Sequence, residues 1–416
     1  VAKTAIWGQT YKVLLDTGLT QDAFTLDTST LNGTDVLDGV VDFADVTEYV
    51  LSLNIKRGRQ TQLDAMSIGQ ATVVLDDKAS GRQFDPANTA STYFQGGFGI
   101  APRRFVQIYG GSAGTEPLFV GRINDLDIDY QQPNNSFALV TCTDDLSTLA
   151  RTNLVAFNPS SELSSARVSA ILDRTEVAFS TALRSIATGV ATLGTVAYAD
   201  NDNVKNAIDQ AVFAEDGRFF IDRGGTATFQ PRIDFSFSTA IMSFTDTAGT
   251  AYAYQALSVG YGAETMYNRV QVGVQGFSVA TAVDTTSTTE FGVTTLSLSD
   301  LPLNTLAAGT ALANNLLDKY KNPVFRFNEI GVTLNGLSVA AGNDVSTLDI
   351  GDLVAVTKTY TTGSPATVTK TMFVESISHD ITPGTHRVSL GLGQAQLLTQ
   401  FILDTSELDD TDVGLG

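Results

Sequence analysis

Along this chain apolar residues alternate with polar ones far more often than they recur at helical spacing. Residues 11–15, 50–55, 71–75, 106–109, 118–123 and 137–142 read as strands, with turns at Gly110-Gly111 and Pro133-Asn134-Asn135. Residues 49–86 organise this part. Two strand runs flank a basic turn carrying Lys56, Arg57 and Arg59, and Leu63, Met66 and Ile68 punctuate the polar linker that follows. The stretch closes on Gly81-Arg82-Gln83-Phe84-Asp85-Pro86, a turn with Phe84 as an aromatic plug, because Pro86 biases Asp85 away from the α region.

Helical spacing shows in four places. A helix through Leu172 starts at Ser160-Ser161 or Ser164-Ser165, and a second is expected over 176–187. Asn203 caps a third, in which Val204, Ala207, Ile208, Ala211 and Val212 share one face, and a hairpin over 218–229 turning at Gly224-Gly225 follows it. The fourth covers 306–320, with Leu312, Ala313, Leu316, Leu317 and Tyr320 inward, and it stops before Pro323. Beyond it the pattern returns to strands at 325–334, 353–358, 367–377 and 386–392, the last two joined by Thr382-Pro383-Gly384.

The expected class is mainly β with α/β inserts, built from antiparallel barrel or sandwich domains that close or cover their edges. The expected division is an extended, polar arm over 1–49, a β-barrel-like domain over 50–150, a small α/β domain over 151–235 and a β-rich connection over 236–305. A helix with a second barrel-like domain occupies 306–395, and a C-terminal arm 396–416.

Charge narrows the function. With 45 acidic and 25 basic residues the formal charge is −20, which argues against coating nucleic acid. Arg57, Arg59, Arg103 and Arg104 would make a local basic patch, but pairing with carboxylates of the same chain or a neighbour is the better reading. The one cysteine, Cys142, sits in a strand run and reads as a small buried hydrophobe. No basic segment followed by an apolar core opens the sequence and no 18-residue apolar run occurs, so neither a signal peptide nor a transmembrane segment is expected.

Candidate chemistry is thin. His379 and His386 are the only histidines, and a hairpin would bring them together as satisfied surface or interface side chains. With Cys142 and Asp380 they would make a metal site, as the acidic turns over 27–38 and 404–412 would for Ca²⁺, yet no zinc-site spacing is present. Gly96-Gly97 and Gly99 lack the strand–loop–helix context of a phosphate loop. The acidic turns over 27–38 and 404–412 do not follow the EF-hand pattern. Tyr252, Tyr254 and Tyr261 would stack a sugar if exposed in a groove, and paired carboxylates there would add glycan hydrolysis. Core or subunit contacts are the commoner duties of such residues. No catalytic residue, cofactor or metal ligand is therefore assigned.

One repeat stands out. Residues 24–39, FTLDTSTLNGTDVLDG, return as 401–416, FILDTSELDDTDVGLG, with Phe24, Leu26, Phe401 and Leu403 as matching apolar anchors. Two such segments suggest one kind of surface met twice, by strand addition at a sheet edge.

The ordered motifs R-G-R at 57–59, G-x-A-T-V-x-L-D-D at 69–77, R-x-F-D-P at 82–86 and P-L-F-V-G-R-I at 117–123 resemble the minor tail proteins of long-tailed bacteriophages. The resemblance continues through GRFFIDRGGTATF at 217–229, DIGDLV at 349–354 and FVESISHDI at 373–381, and so covers most of the chain. It implies a structural hub at the distal end of the tail tube, a trimer whose two barrels per chain give a pseudo-hexameric face. The partners implied are the tail tube or a distal tail protein, the tape measure protein and further tail-tip or receptor-binding proteins. The location implied is the virion, with assembly in the host cytoplasm. A carbohydrate- or receptor-binding module at the tail tip is the alternative, and a polysaccharide-degrading enzyme a more distant one. Arg57, Arg59, Phe84, Arg103, Arg104 and the four apolar anchors of the repeat are the assembly candidates.

Overall fold

A computed structural model describes residues 3–4, 10–21, 40–94, 99–232, 239–395, 399–400 and 413–414. Both copies of the repeat, with Phe24, Leu26, Phe401 and Leu403, lie outside them apart from the backbone at Val413–Gly414, as do Gly96-Gly97 and the two acidic turns.

The first barrel contains β1 (Thr10–Gln21), β2 (Val40–Asp45), β3 (Val50–Gly58), β4 (Ser67–Asp76), β5 (Phe105–Gly110), β6 (Glu116–Gln131) and β7 (Asn135–Thr143), in the order β2–β1–β5–β6–β7–β4–β3. Period-two burial is clean in β5 and β7, so Val106, Ile108, Val140 and Cys142 meet Leu53, Ile55 and Val73 in one apolar core. Phe84 plugs this core as expected, 1% exposed and ring to ring with Tyr49 and Tyr93. The N-terminal region departs from the arm expected for it. Val13 and Leu15 of β1 are fully buried, and two antiparallel strands, few as their apolar residues are, extend the sheet beyond β5. A 3₁₀ turn over Thr47–Tyr49 helps close the wall, where Val46 N–H donates to the Val13 carbonyl at 3.0 Å and Val13 N–H to Thr47 Oγ1 at 2.9 Å.

Next come α1 (Leu146–Arg151), α2 (Ser164–Leu172), β8 (Arg184–Ile186), α3 (Val204–Glu215), β9 (Arg218–Ile221) and β10 (Ala227–Gln230). Asn203 caps α3, its side chain accepting from Asn206 N–H at 3.2 Å. The helix expected over 176–187 does not form. Ala178 takes a left-handed φ of 46°, Thr181–Leu183 make one 3₁₀ turn, and β8 pairs with β10 instead.

β11 (Met242–Thr245) and β12 (Ala256–Gly260) lead into β13 (Arg269–Val274), β14 (Val279–Val283), α4 (Thr285–Phe291), β15 (Thr295–Leu301) and α5 (Leu306–Tyr320). Then follow β16 (Arg326–Thr333), α6 (Val339–Ser346), β17 (Leu353–Thr359), β18 (Thr367–Thr382) and β19 (Thr385–Gln394). Cores here do not respect chain order. β11 and β12 join the second barrel, ordered β11–β17–β18–β19–β16–β12, whose core holds Phe244, Phe327, Ile330, Val354 and Val388. The α5 residues expected inward are all buried, but against Val270, Val272 and Ala280 of the β14–β13–β15 sheet and not in the barrel that follows. That sheet has one apolar face in need of a cover, and α5 is the amphipathic element beside it. Its core is continuous with that of α2, α3, β9 and β10, so 146–232 and 267–320 form one middle module.

The two barrels are one continuous antiparallel sheet at their seam. One side of β18 pairs with β19 through residues 372–382; the other pairs with β17 through residues 367–373 and with β3 through residues 376–381.

Candidate functional site: a buried charged junction

At that hand-over β18 is bulged, with a register shift between Val374 and Ser376 that leaves Glu375 as the extra residue. Here Gly58 ends β3 at φ +103°, and a Cβ on it would lie 2.1 Å from the Glu375 carbonyl oxygen. Only glycine allows this approach. It brings Arg59 N–H to the Glu375 carbonyl at 2.9 Å and turns the Arg59 side chain inward.

Glu375 is 2% exposed and holds two arginines. Arg59 Nε donates to Oε2 at 2.8 Å, Arg218 Nη2 to Oε1, and Gln62 Nε2 to Oε1 at 3.2 Å. Burial alone would push this carboxyl up; the guanidiniums of Arg218 and Arg59 overcome it and hold it at about 2. Arg218 also lies over the Phe373 ring, 4.5 Å from its centroid.

A second carboxylate repeats the arrangement. Asp349 Oδ1 accepts from Arg57 Nη1 at 2.7 Å, and Oδ2 from Arg223 N–H at 2.9 Å. Its backbone N–H is held in turn by Asp352 Oδ2 at 2.7 Å. Each carboxylate therefore ties three parts of the chain: the end of β3 in the first barrel, the second barrel that supplies the acid, and the β9–β10 hairpin of the middle module. Leu63, Met66 and Ile350 add apolar contact, reaching from the two barrels into the middle core.

Beside it, on the same seam, His379 and His386 do pair across the hairpin, Nδ1 to Nε2 at 3.0 Å, and Tyr11 Oη meets His386 Nδ1 at 2.7 Å. Expected as satisfied surface or interface side chains, both are buried at the seam between the two barrels, His379 lying between the inward Ile377 and Ile381 of β18. Burial, then the Arg57 charge, pulls His379 down to about 3; burial and His379 pull His386 well below the usual range. Burial raises the Tyr11 phenol. Uncharged, the trio acts as a polar spacer linking β1 to the shared hairpin.

Arg57 and Arg59 thus take the in-chain pairing, apart from Arg103, which is exposed on the loop before β5, and from Arg104, which packs against Gly18. Cys142 is sealed in the first core and Asp380 accepts from Asn54, so neither joins the histidines. Among the described residues no group of His, Cys, Asp and Glu could hold a metal, and no helix is long and apolar enough to cross a membrane. Tyr254 is mostly buried and donates to the Thr357 carbonyl, Tyr252 donates to Asp344 Oδ2 at 2.9 Å, and Tyr261 is exposed. Sequence reasoning missed Glu375, Asp349 and Arg218 as a site. The available signal was charge at inward positions of apolar runs, as in Phe373-Val374-Glu375-Ser376-Ile377.

No protein-family model matches the chain, and no curated protein does. Solved structures share its fold over nearly its whole length, among them two tail proteins. The tail protein from Neisseria meningitidis MC58 superposes with a TM-score of 0.58 at 11% identity, covering 93% of this chain and 96% of its own. The 43 kDa tail protein of prophage MuSo2 from Shewanella oneidensis gives 0.54 at 11% identity, covering 92% and 97%. The double barrel, the middle module and the charged junction between them are thus set in a mainly β chain with the fold of phage tail proteins.

Proposed function

We propose that this chain is a structural virion protein, the hub at the distal end of a phage tail tube, where three copies join the tube to tip or receptor-binding proteins. The observation that carries this reading is the seam. Two barrels share β18 and are clamped to each other and to the middle module by Glu375 and Asp349, so each chain offers two barrels as one rigid body. Three such bodies around an axis give six barrels, a match for a tube of six-fold character. The partners in this reading are the tail tube or distal tail protein, the tape measure protein and the tip proteins. In this reading the role is assembly, and the histidines, bonded to each other and to Tyr11, serve the seam.

A stop codon in the gene, in the phage or prophage that encodes it, tests the role. A hub on which the tube is built predicts particles without tails, restored by supplying the chain in trans. Complete tails that lack the chain would overturn the reading.

A further inference from the structure

Most sheet edges among the described strands are blunted. β12 carries a bulge between Ser258 and Val259, β15 shifts register against β13 and holds Asp300, and β2 ends on Asp45. β8 and β9 open with Arg184 and Arg218, and β11 is partly covered where Thr245 exchanges hydrogen bonds with Tyr252 and Tyr254. These are devices that keep an edge from pairing with another chain. β14 has none. It reads Val279-Ala280-Thr281-Ala282-Val283, without charge, proline or bulge, and β13 is its one partner strand. Val279 and Val283 are 57% and 45% exposed, and Phe277, two residues before the strand, is 52% exposed.

The ladder decides which groups face outward. Asp284 N–H donates to the Asn268 carbonyl, and antiparallel pairing alternates, so Ala282 and Ala280 bond to β13. Val279, Thr281 and Val283 then direct their N–H and C=O to the open edge. The strand also reads identically in both directions about Thr281.

We propose that β14 pairs antiparallel with β14 of a second copy about a two-fold axis through Thr281. That register sets Thr281 opposite itself and Val279 opposite Val283, each a hydrogen-bonded pair, and stacks the exposed valines across the seam. The palindrome favours a second copy as occupant, since one register then matches the strand to itself. Two chains of charge −20 repel over most of their surface, but residues 270–283 carry no charge, so the edge is where two copies can approach. The edge is short, so the association is weak and rises with concentration. A two-fold contact cannot generate a ring of three, so it stands apart from the hub reading and is tested on the free chain.

The test is a Thr281→Cys substitution in the full chain, where the native Cys142 is buried and silent. Opposed residues of a hydrogen-bonded pair sit about 5.5 Å apart at Cα, within disulfide reach. Mild oxidation is expected to give a covalent dimer. Val279→Cys, whose copies would lie about 14 Å apart in this register, is expected to give none. In sedimentation, Thr281→Pro, which removes an outward N–H and spares the β13 ladder, is expected to abolish the dimer of the unmodified chain. Equal crosslinking from both cysteines, none from Thr281→Cys, or a dimer that survives Thr281→Pro would overturn the pairing.

Discussion

Replacing Glu375 by Gln tests whether the junction holds the modules together. The substitution keeps the volume and removes the charge, taking from Arg59 and Arg218, 8% and 3% exposed, the carboxylate they share. Two routes give the cost. The fall of the Glu375 carboxyl from 4.5 to about 2 corresponds to roughly 3 kcal/mol of preference for the charged form in the folded state. Removing one partner of a buried ion pair costs about 3–5 kcal/mol. They agree, so denaturant unfolding of the purified chain should show about 3–5 kcal/mol lost. The pH dependence has a definite sign. A depressed carboxyl stabilises fully above its unfolded value near 4.5 and loses that contribution as pH falls towards 2, so the gap between wild type and Glu375→Gln should close across that window. A triple Glu375→Leu, Arg59→Met, Arg218→Met chain should recover most of the loss, because no buried charge is then unpaired. A loss below about 1 kcal/mol for Glu375→Gln would refute the clamp, that being the range of exposed pairs.

Three further substitutions probe the seam and the crossing into the middle module. Gly58→Ala puts a methyl against the Glu375 carbonyl at a positive φ, and denaturation should show a loss of about 2 kcal/mol or more. Tyr11→Phe removes the buried hydrogen bond to His386 and should cost about 1 kcal/mol in the same assay. Asp144, at the crossing from β7 into α1, accepts from Gly69 and Leu146 N–H, and burial lifts its carboxyl to about 7. A raised carboxyl stabilises below its unfolded value, and the contribution disappears as pH rises through 7. Asp144→Asn should therefore flatten the stability profile between about pH 4 and 7.

Much of the fold is legible in local pattern. Alternation marks β5, β7, β17 and β19, and the 3.6 period with Asn203 marks α3, because such signals need only one buried face. The α5 helix shows where local reading stops: its inward residues follow from spacing, but which core they enter does not. Ala178 shows another limit, since a single left-handed residue ended a helix that composition allowed. The junction was least legible. Arg59 and Arg218 stand 316 and 157 residues from Glu375, and nothing near Glu375 names them. The bulge that turns Glu375 inward depends on pairing β18 with strands from two barrels. The short α6 and α4 were missed for a plainer reason: Gly342, Asn343 and the threonines of 285–289 are poor helix formers.

The most direct measurement is a cryo-microscopy map of the intact tail at side-chain resolution, with the copies of this chain counted around the axis. The account predicts three copies at the distal end of the tube, each with both barrels in the wall, Glu375 bound to Arg59 and Arg218, and six barrels alternating around the lumen. Six copies, a single copy, or barrels lying outside the wall would contradict it.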